Sequence, residues 1–239
     1  MTDELLSTTT DPDWLLLEDG PLLAVNKPVG WLTEGPLIGP RSLVNEIKAW
    51  LAKKYGKEGN VYLGVPHRLD RATSGVLVFG KNSKVSKRLS EQFSERTVTK
   101  KYLAILAQPP EPAEGLLVDW LTKNREAARS DIATPETDGA REARLDYRTL
   151  GPVEGGTLVE VTLITGRMHQ IRVQFASRGW TVLGDTKYGG SEWARPEEFQ
   201  LPVERIALHA RTLKVKHPIR YDEMLFEAPL PEHWPELPM

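Results

Sequence analysis

Cysteine is absent from the 239-residue sequence, and histidine is scarce, with five residues. Without a thiol, the chain has no disulfide, no zinc or iron–sulfur site bound through sulfur, and no cysteine nucleophile. No two histidines have the spacing of metal ligands, and no H-E-x-x-H segment occurs. We therefore expect no metal site.

Long apolar runs are also missing. No stretch of about 18 apolar residues occurs, and the N-terminus lacks the basic and apolar segments of an export signal. We expect a cytoplasmic protein that does not bind membranes. Because the composition shows neither a linker nor a repeat, we interpret residues 14–239 as one domain that follows an acidic leader, residues 1–13.

Two common catalytic motifs, G-x-S-x-G and a helix-opening G-x-G-x-x-G, do not occur. Residues 75–82 approach the phosphate loop G-x4-G-K-[ST], but the last position is Asn82 and the residues between the glycines are apolar. A paired strand has no free N–H groups with which to bind phosphate. We interpret this segment as a buried strand.

Charge is nearly balanced overall, with a net charge of −2, but it is distributed unevenly. Residues 1–19 and 222–239 carry acids and no Lys or Arg, whereas residues 67–101 carry nine Lys or Arg against three acids. The basic segment is consistent with a cleft that binds a polyanion and equally with a solvated helix face. Charge alone does not separate these interpretations.

Short apolar runs outnumber helical patterns along the chain. Strands are predicted at residues 22–26, 76–79, 99–107, 143–150, 157–164, 206–215 and 224–226. Helices are predicted from the N-cap Ser42 to a stop at Gly56, at residues 83–96 and at residues 169–178. This mixture of many strands with few helices predicts an α+β fold.

Three segments place polar residues in apolar surroundings: HRLDRATSG at residues 67–75, TKKYLAI at 99–105 and TGRMHQIR at 165–172. Each also has a plain structural explanation. The first segment has the composition of a turn held by side-chain hydrogen bonds, and the tyrosine of the second suits half-buried strand packing. In the third, two arginines at a helix start oppose the helix dipole, which indicates an external reason for their charge.

Together these segments carry a resemblance to a known family. HRLDRATSG, KKY and TGRMHQIR, with NKPVG at residues 26–30 and LGDTKYGG at residues 183–190, are similar in order and spacing to the motifs of the RluA family of pseudouridine synthases. The similarity extends from about residue 22 to residue 231. The combination of HRLDxxTSG with GRxHQIR is highly specific.

The resemblance implies that the chain isomerises uridine in ribosomal or transfer RNA to pseudouridine after flipping the base. It implies Asp70 as the catalytic carboxylate, Tyr102 as the ring that stacks on the base, and Arg172 as the ion-pair partner of Asp70. Arg68 would fill the gap that the base leaves, while Lys100 and Arg167 would contact RNA phosphates. The implied fold has a mixed, largely antiparallel sheet, flanking helices and a central RNA cleft.

The reaction needs no redox change and no energy source, so we expect no cofactor. We also expect a monomer, and the sequence indicates no obligate protein partner. Gln174 occupies a position where the family usually has histidine. Because both side chains form hydrogen bonds, we expect this difference to adjust the activity rather than abolish it. We expect a catalytic domain without an S4 RNA-binding domain, because the segment before Trp14 is short. Two alternatives remain: an RNA-binding module without catalysis, and a glycosidase, which would need a second positioned acid.

Overall fold

Ten β-strands form one sheet in the computed structural model, which describes residues 11–191, 193, 205–232 and 234–237. In chain order the strands are β1 (Leu15–Asp19), β2 (Leu22–Lys27), β3 (Ser74–Gly80), β4 (Thr99–Leu106), β5 (Glu114–Asn124), β6 (Arg129–Ala133), β7 (Arg141–Val153), β8 (Gly156–Leu163), β9 (Leu208–Lys216) and β10 (Glu223–Glu227). The α-helices are α1 (Leu43–Lys54), α2 (Ser83–Ser94) and α3 (Gln170–Ala176). A short 3-10 turn covers Thr186–Tyr188.

The strands lie in the order β1-β2-β3-β9-β4-β8-β7-β5-β6, and β10 pairs with the C-terminal half of β9. Neighbouring strands are antiparallel except β3 and β9, which pair in parallel through Ser74 with His209 and Gly75 with Ala210. The last two residues of the HRLDRATSG segment therefore make the parallel contact. The predicted α+β fold with a mixed, largely antiparallel sheet is confirmed.

Helices α1 and α2 pack on opposite faces of the sheet because the side chains of β3 alternate. Leu77 and Phe79 belong to the same apolar cluster as the buried face of α1, whereas Val76 and Val78 belong to that of α2. The N-cap residues Ser42 and Asn82 accept hydrogen bonds from backbone N–H groups of the first turns. Across the described ranges, no helix combines the length and apolar character needed to cross a bilayer.

Several predicted boundaries need correction. Helix α3 covers residues 170–176 rather than 169–178, because His169 adopts the left-handed conformation with φ 53° and serves as the N-cap. The sequence patterns did not predict β1, β5 or β6. Strand β5 has exposed apolar residues beside buried ones, and β6 is short and polar, so neither shows a clear alternation.

The location of α2 bears on the basic segment. Leu69 and Ala72, which flank Asp70 closely, pack into the apolar cluster of α1 rather than that of α2. On α2, Lys84 is exposed and Lys87 faces Glu91 at 3.9 Å. This placement supports the solvated-face interpretation for the lysines of α2. Residues 1–10 of the predicted leader lie outside the described residues, and the division at residue 14 stays a prediction.

Replacing Gly75 by alanine should destabilise the junction of β3 with β9. Gly75 has φ +117°, and a Cβ atom there would lie 2.2 Å from the Ala210 carbonyl oxygen. We expect the free energy of unfolding in urea to fall by about 3 kcal/mol or more, since strain and overlap both contribute. Gly139→Ala is the matched control, because φ is +72° with no atom within 4 Å. It should cost only about 1 kcal/mol, and equal losses in both variants would contradict the packing argument.

Candidate active site

The segment that carries Asp70 is fixed from both sides by its backbone. Thr33 Oγ1 donates to the Leu69 carbonyl at 2.9 Å and accepts from the Leu69 N–H at 3.1 Å. The Thr73 N–H donates to the Asp70 carbonyl at 3.1 Å and closes the turn. These bonds leave the Asp70 side chain 29% exposed. The carboxylate is therefore held on a rigid backbone at an open site.

His67, the first residue of the HRLD segment, has a structural role. Its ring stacks on Phe93 of α2 with 4.1 Å between the ring centroids, and its Nε2 accepts from the Val78 N–H at 3.0 Å. Burial lowers the pKa of His67 to about 3, so the ring is neutral. The segment is thereby attached to β3 and α2 before it reaches Asp70.

Arg172 pairs with two carboxylates, Asp70 and Asp185. Its Nε and Nη2 donate to the Asp185 oxygens at 2.6 and 2.7 Å, and Asp185 is completely buried. The Arg172 Nη1 atom lies 3.8 Å from Asp70 Oδ2, which is ion-pair distance but longer than a hydrogen bond. The predicted ion pair of Arg172 with Asp70 is thus present, but the bidentate partner of Arg172 is Asp185, and Asp70 is the outer member of this network.

His169 is a second side chain that faces Asp70. Its Nε2 lies 3.7 Å from Asp70 Oδ2, and its Nδ1 forms a 2.9 Å hydrogen bond with the Tyr188 hydroxyl. Burial lowers the pKa of His169, which favours the neutral ring. The Tyr188 hydroxyl donates its single proton to the Ser130 carbonyl at 3.1 Å, so it accepts from Nδ1–H of the neutral His169 ring, and the Nε2 lone pair lies on the side of Asp70. The Ser130 N–H donates to the Tyr188 hydroxyl at 2.8 Å, so β6 orients this pair.

Tyr102 lies on β4 with 9% of its surface exposed. Burial raises the pKa of Tyr102 well above its ordinary value, and the negative charge of Asp70 adds to the shift. The phenol is therefore protonated at neutral pH. Asp70 is close enough for its negative charge to disfavour ionisation of the phenol. Two of the predicted residues, Tyr102 and Arg172, thus converge on the third, Asp70.

Lys100 and Arg167 belong to a basic cluster with Arg96 and Arg141. Burial lowers the pKa of Lys100 to about 8, and the charge of Arg96 contributes. The pKa of Arg167 is lowered by burial, by Arg96 and by Arg141, while its Nε donates to the Glu142 carbonyl at 2.9 Å. Cations that destabilise one another in this way form a strong site for an anion. Arg68 is separate, with its side chain 74% exposed and 3.8 Å from Glu34.

Lys27 is a site residue to which the sequence analysis gave no role. It is completely buried, and its ammonium donates to the carbonyls of Pro28, Trp31 and Arg71 at 2.9, 2.8 and 3.3 Å. Burial lowers the pKa of Lys27 to about 7, and the charge of Asp70 opposes that shift. The side chain ties the NKPVG turn to the residue after Asp70.

The glutamines of α3 shape the site without lining it. Gln170 Oε1 accepts from the Thr165 hydroxyl at 2.8 Å and from the Arg167 N–H at 3.0 Å, which folds the TGRMHQ turn. Gln174 donates through Nε2 to Asp119 at 2.7 Å, and Arg178 binds the same carboxylate. The departure from histidine at position 174 therefore concerns the contact between α3 and β5.

Comparison with known proteins identifies the family of the chain. A family model described as RNA pseudouridylate synthase matches residues 21–177. The chain belongs to the RNA pseudouridylate synthase family. It is accordingly an isomerase that acts on RNA, and the resemblance identified from the sequence is confirmed.

Two curated members of this family illustrate the similarity. A ribosomal large subunit pseudouridine synthase D from Zymomonas mobilis is 35% identical over 222 residues, which are 91% of this chain and 69% of that protein. A tRNA pseudouridine synthase C from Salmonella typhi is 31% identical over 238 residues, which cover 92% and 86% of the two chains. Among solved structures, human RNA Pseudouridylate Synthase Domain Containing 4 superposes with a TM-score of 0.71 at 27% identity, covering 91% of this chain and 88% of that one.

Exchanging Arg172 for lysine should lower turnover much more than RNA affinity. Lysine keeps the charge but cannot form the two parallel hydrogen bonds to Asp185. We expect pseudouridine formation to slow by about 10-fold to 1,000-fold, because the network behind Asp70 is lost. The slope of log affinity against log salt should be unchanged, whereas a lost phosphate contact would lower it by about one unit.

Arg178→Lys makes the same exchange at another bidentate pair, with Asp119. This control should keep nearly all of the turnover. A reduced salt slope in Arg172→Lys with turnover preserved would show that Arg172 acts on RNA rather than through the network.

Proposed function

We propose that the chain isomerises uridines of ribosomal or transfer RNA, with Asp70 as the carboxylate that acts at C1′ of the flipped nucleotide. The supporting observation is the position of Asp70, which is partly exposed while the buried guanidinium of Arg172 and the half-buried ring of His169 face its Oδ2 atom. Such a carboxylate can be desolvated by a substrate without losing its ionised form. The two relatives are named as pseudouridine synthases of the ribosomal large subunit and of tRNA.

In the reaction the N1–C1′ bond of uridine breaks and a C5–C1′ bond forms. The hydrogen on C5 leaves as a proton, and N1 gains one, so atoms and electrons balance without an oxidant, reductant or cofactor. An ionised Asp70 can either attack C1′ or remove a proton near it. In both cases a positive group behind the carboxylate stabilises the charged form, and the position of Arg172 supports this role for it.

The RNA must deliver a nucleotide that is unpaired and unstacked. Flipping costs a few kcal/mol, and stacking on Tyr102 would return about 1 to 3 kcal/mol. The basic cluster around Lys100 and Arg167 would bind the flanking phosphates, while the exposed Arg68 would fill the gap in the stack. We further propose that the protein acts as a monomer in the cytoplasm, without an obligate protein partner.

Two alternative functions fit the site less well. An RNA-binding module does not need a carboxylate at the centre of its surface, where it repels phosphate. A glycosidase needs a second carboxylate that reaches the sugar or water. The other carboxylate that pairs with Arg172, Asp185, is completely buried. Isomerisation therefore fits this geometry better than hydrolysis.

Asp70→Asn should abolish isomerisation and keep RNA binding, because the amide preserves the shape of the carboxylate and removes its charge. RNA transcripts labelled with tritium on C5 of uridine release the label when C5 bonds to C1′. We expect tritium release from ribosomal or transfer RNA to fall below about 1% of the wild-type rate, with affinity within about threefold. Asp222→Asn, at an exposed pair with Arg220, is the control and should be fully active. Substantial turnover in Asp70→Asn would refute the assignment.

RNA affinity should fall with rising pH in a way that depends on Lys100. Since its pKa is lowered to about 8, the free protein loses this charge as the pH rises through 8, whereas a bound phosphate keeps the proton in place. We expect affinity to weaken by about threefold to tenfold between pH 7 and pH 9. Lys100→Arg should remove that difference, because arginine stays charged over this range. An identical pH profile in both proteins would show that Lys100 contacts no phosphate.

A further inference from the structure

Leu37 and Ile38 form an apolar tip on the loop between β2 and α1. They are 91% and 92% exposed, whereas the other exposed large hydrophobic side chains in the described residues are 38% to 65% exposed. Side chains that exposed contribute almost nothing to the core. Two adjacent aliphatic residues presented fully to water indicate a contact with another molecule.

The loop that carries the tip, residues 34–41, has a well-anchored backbone. From the first turn of α1, Asn45 Nδ2 donates to the Pro36 carbonyl at 2.9 Å. At the end of the loop, the Arg41 guanidinium stacks 4.1 Å from the Trp31 ring and pairs with Glu46 at 2.8 Å. Little conformational entropy is lost when a tip held in this way meets a partner.

The base of the same loop is joined to the active site. Thr33, directly before the loop, exchanges two hydrogen bonds with the backbone of Leu69, and Glu34 faces Arg68 at 3.8 Å. Leu69 and Arg68 are the two residues that precede Asp70. The tip is therefore attached to the segment that receives the flipped uridine, and an RNA bound there would continue onto the tip.

We propose that Leu37 and Ile38 act as a wedge, inserting between RNA bases next to the flipped uridine. Aliphatic side chains take this role in other nucleic-acid complexes because they cover the base faces that unstacking exposes to water. The occupant is RNA because the tip adjoins the site that acts on RNA. This inference rests on the proposed function, since it places the target uridine at Asp70.

The test replaces both tip residues, as Leu37→Ser with Ile38→Ser, and compares turnover of folded RNA labelled with tritium on C5 of uridine. Unstacking one step costs a few kcal/mol, and the wedge would offset part of that cost. We expect kcat/KM to fall by about 10-fold to 100-fold. The urea midpoint should be unchanged. The matched control is Leu116→Ser with Val118→Ser, two apolar residues of β5 that are 47% and 45% exposed, and it should keep wild-type turnover.

A second measurement separates wedging from other roles of the tip. In the same RNA, 2-aminopurine replaces the base beside the modified uridine, and its fluorescence rises when the stack opens. Asp70→Asn binds without conversion and should produce the rise, whereas Asp70→Asn combined with the two serine substitutions should not.

The inference is overturned if the serine variant keeps wild-type turnover, or if it loses turnover while the fluorescence rise persists. It is also overturned if the tip variant abolishes a concentration-dependent self-association of the wild-type protein in sedimentation, which would make the tip a contact between copies. Failure of the proposed function looks different. Either the wild type would release no tritium, or Asp70→Asn alone would stay active, and both results are visible without the tip variant.

Discussion

The buried charge of Arg172 is the constraint on which the site depends. An arginine that is 2% exposed must be neutralised, and the completely buried Asp185 provides two short hydrogen bonds. Neither charge is tolerable alone, because an unpaired buried ion costs several kcal/mol. The pair therefore fixes α3 against the 3-10 turn that follows Asp185. The third nitrogen of the guanidinium is then left facing Asp70, so the carboxylate receives a positive neighbour whose position does not depend on the substrate.

The backbone of the Asp70 segment is also fixed by buried contacts. Thr33 fixes the residue before Asp70, and the Lys27 ammonium fixes the residue after it by binding the Arg71 carbonyl. At the end of the segment, Gly75 allows β3 to approach Ala210 of β9 more closely than any side chain would permit. Ser74 forms a 2.8 Å hydrogen bond with His209 at the same junction. The Asp70 side chain is left partly open while its backbone is held on both sides, which keeps the geometry rigid without closing the site.

Local sequence patterns predicted a large part of this structure. Both long helices, the N-cap Ser42 and most central strands follow from periodicity and capping residues, which act over one or two turns. Strand β6 was not predicted, although its Ser130 orients Tyr188 and thereby His169. No pattern in a five-residue polar strand reveals that role. The bidentate partner of Arg172 was also missed, although its ion pair with Asp70 was predicted. Asp185 lies in the LGDTKYGG motif, but its burial against Arg172 is a tertiary fact that spacing along the chain does not contain.

The chain combines a net charge of −2 with an RNA substrate, and the location of its charges resolves this conflict. Attraction for phosphate is a local property, because fields between exposed charges are screened within about 10 Å at ordinary salt. The acidic stretch at residues 1–19 pairs partly with the protein itself, since Glu18 binds Lys54 and Lys81. In contrast, the pKa values of Lys100 and Arg167 are lowered first by burial and then by neighbouring cations. Cations that are neutralised internally have little attraction left for RNA, whereas cations that repel one another are stabilised when a phosphate arrives. The arrangement of charge, rather than its sum, therefore decides where RNA binds.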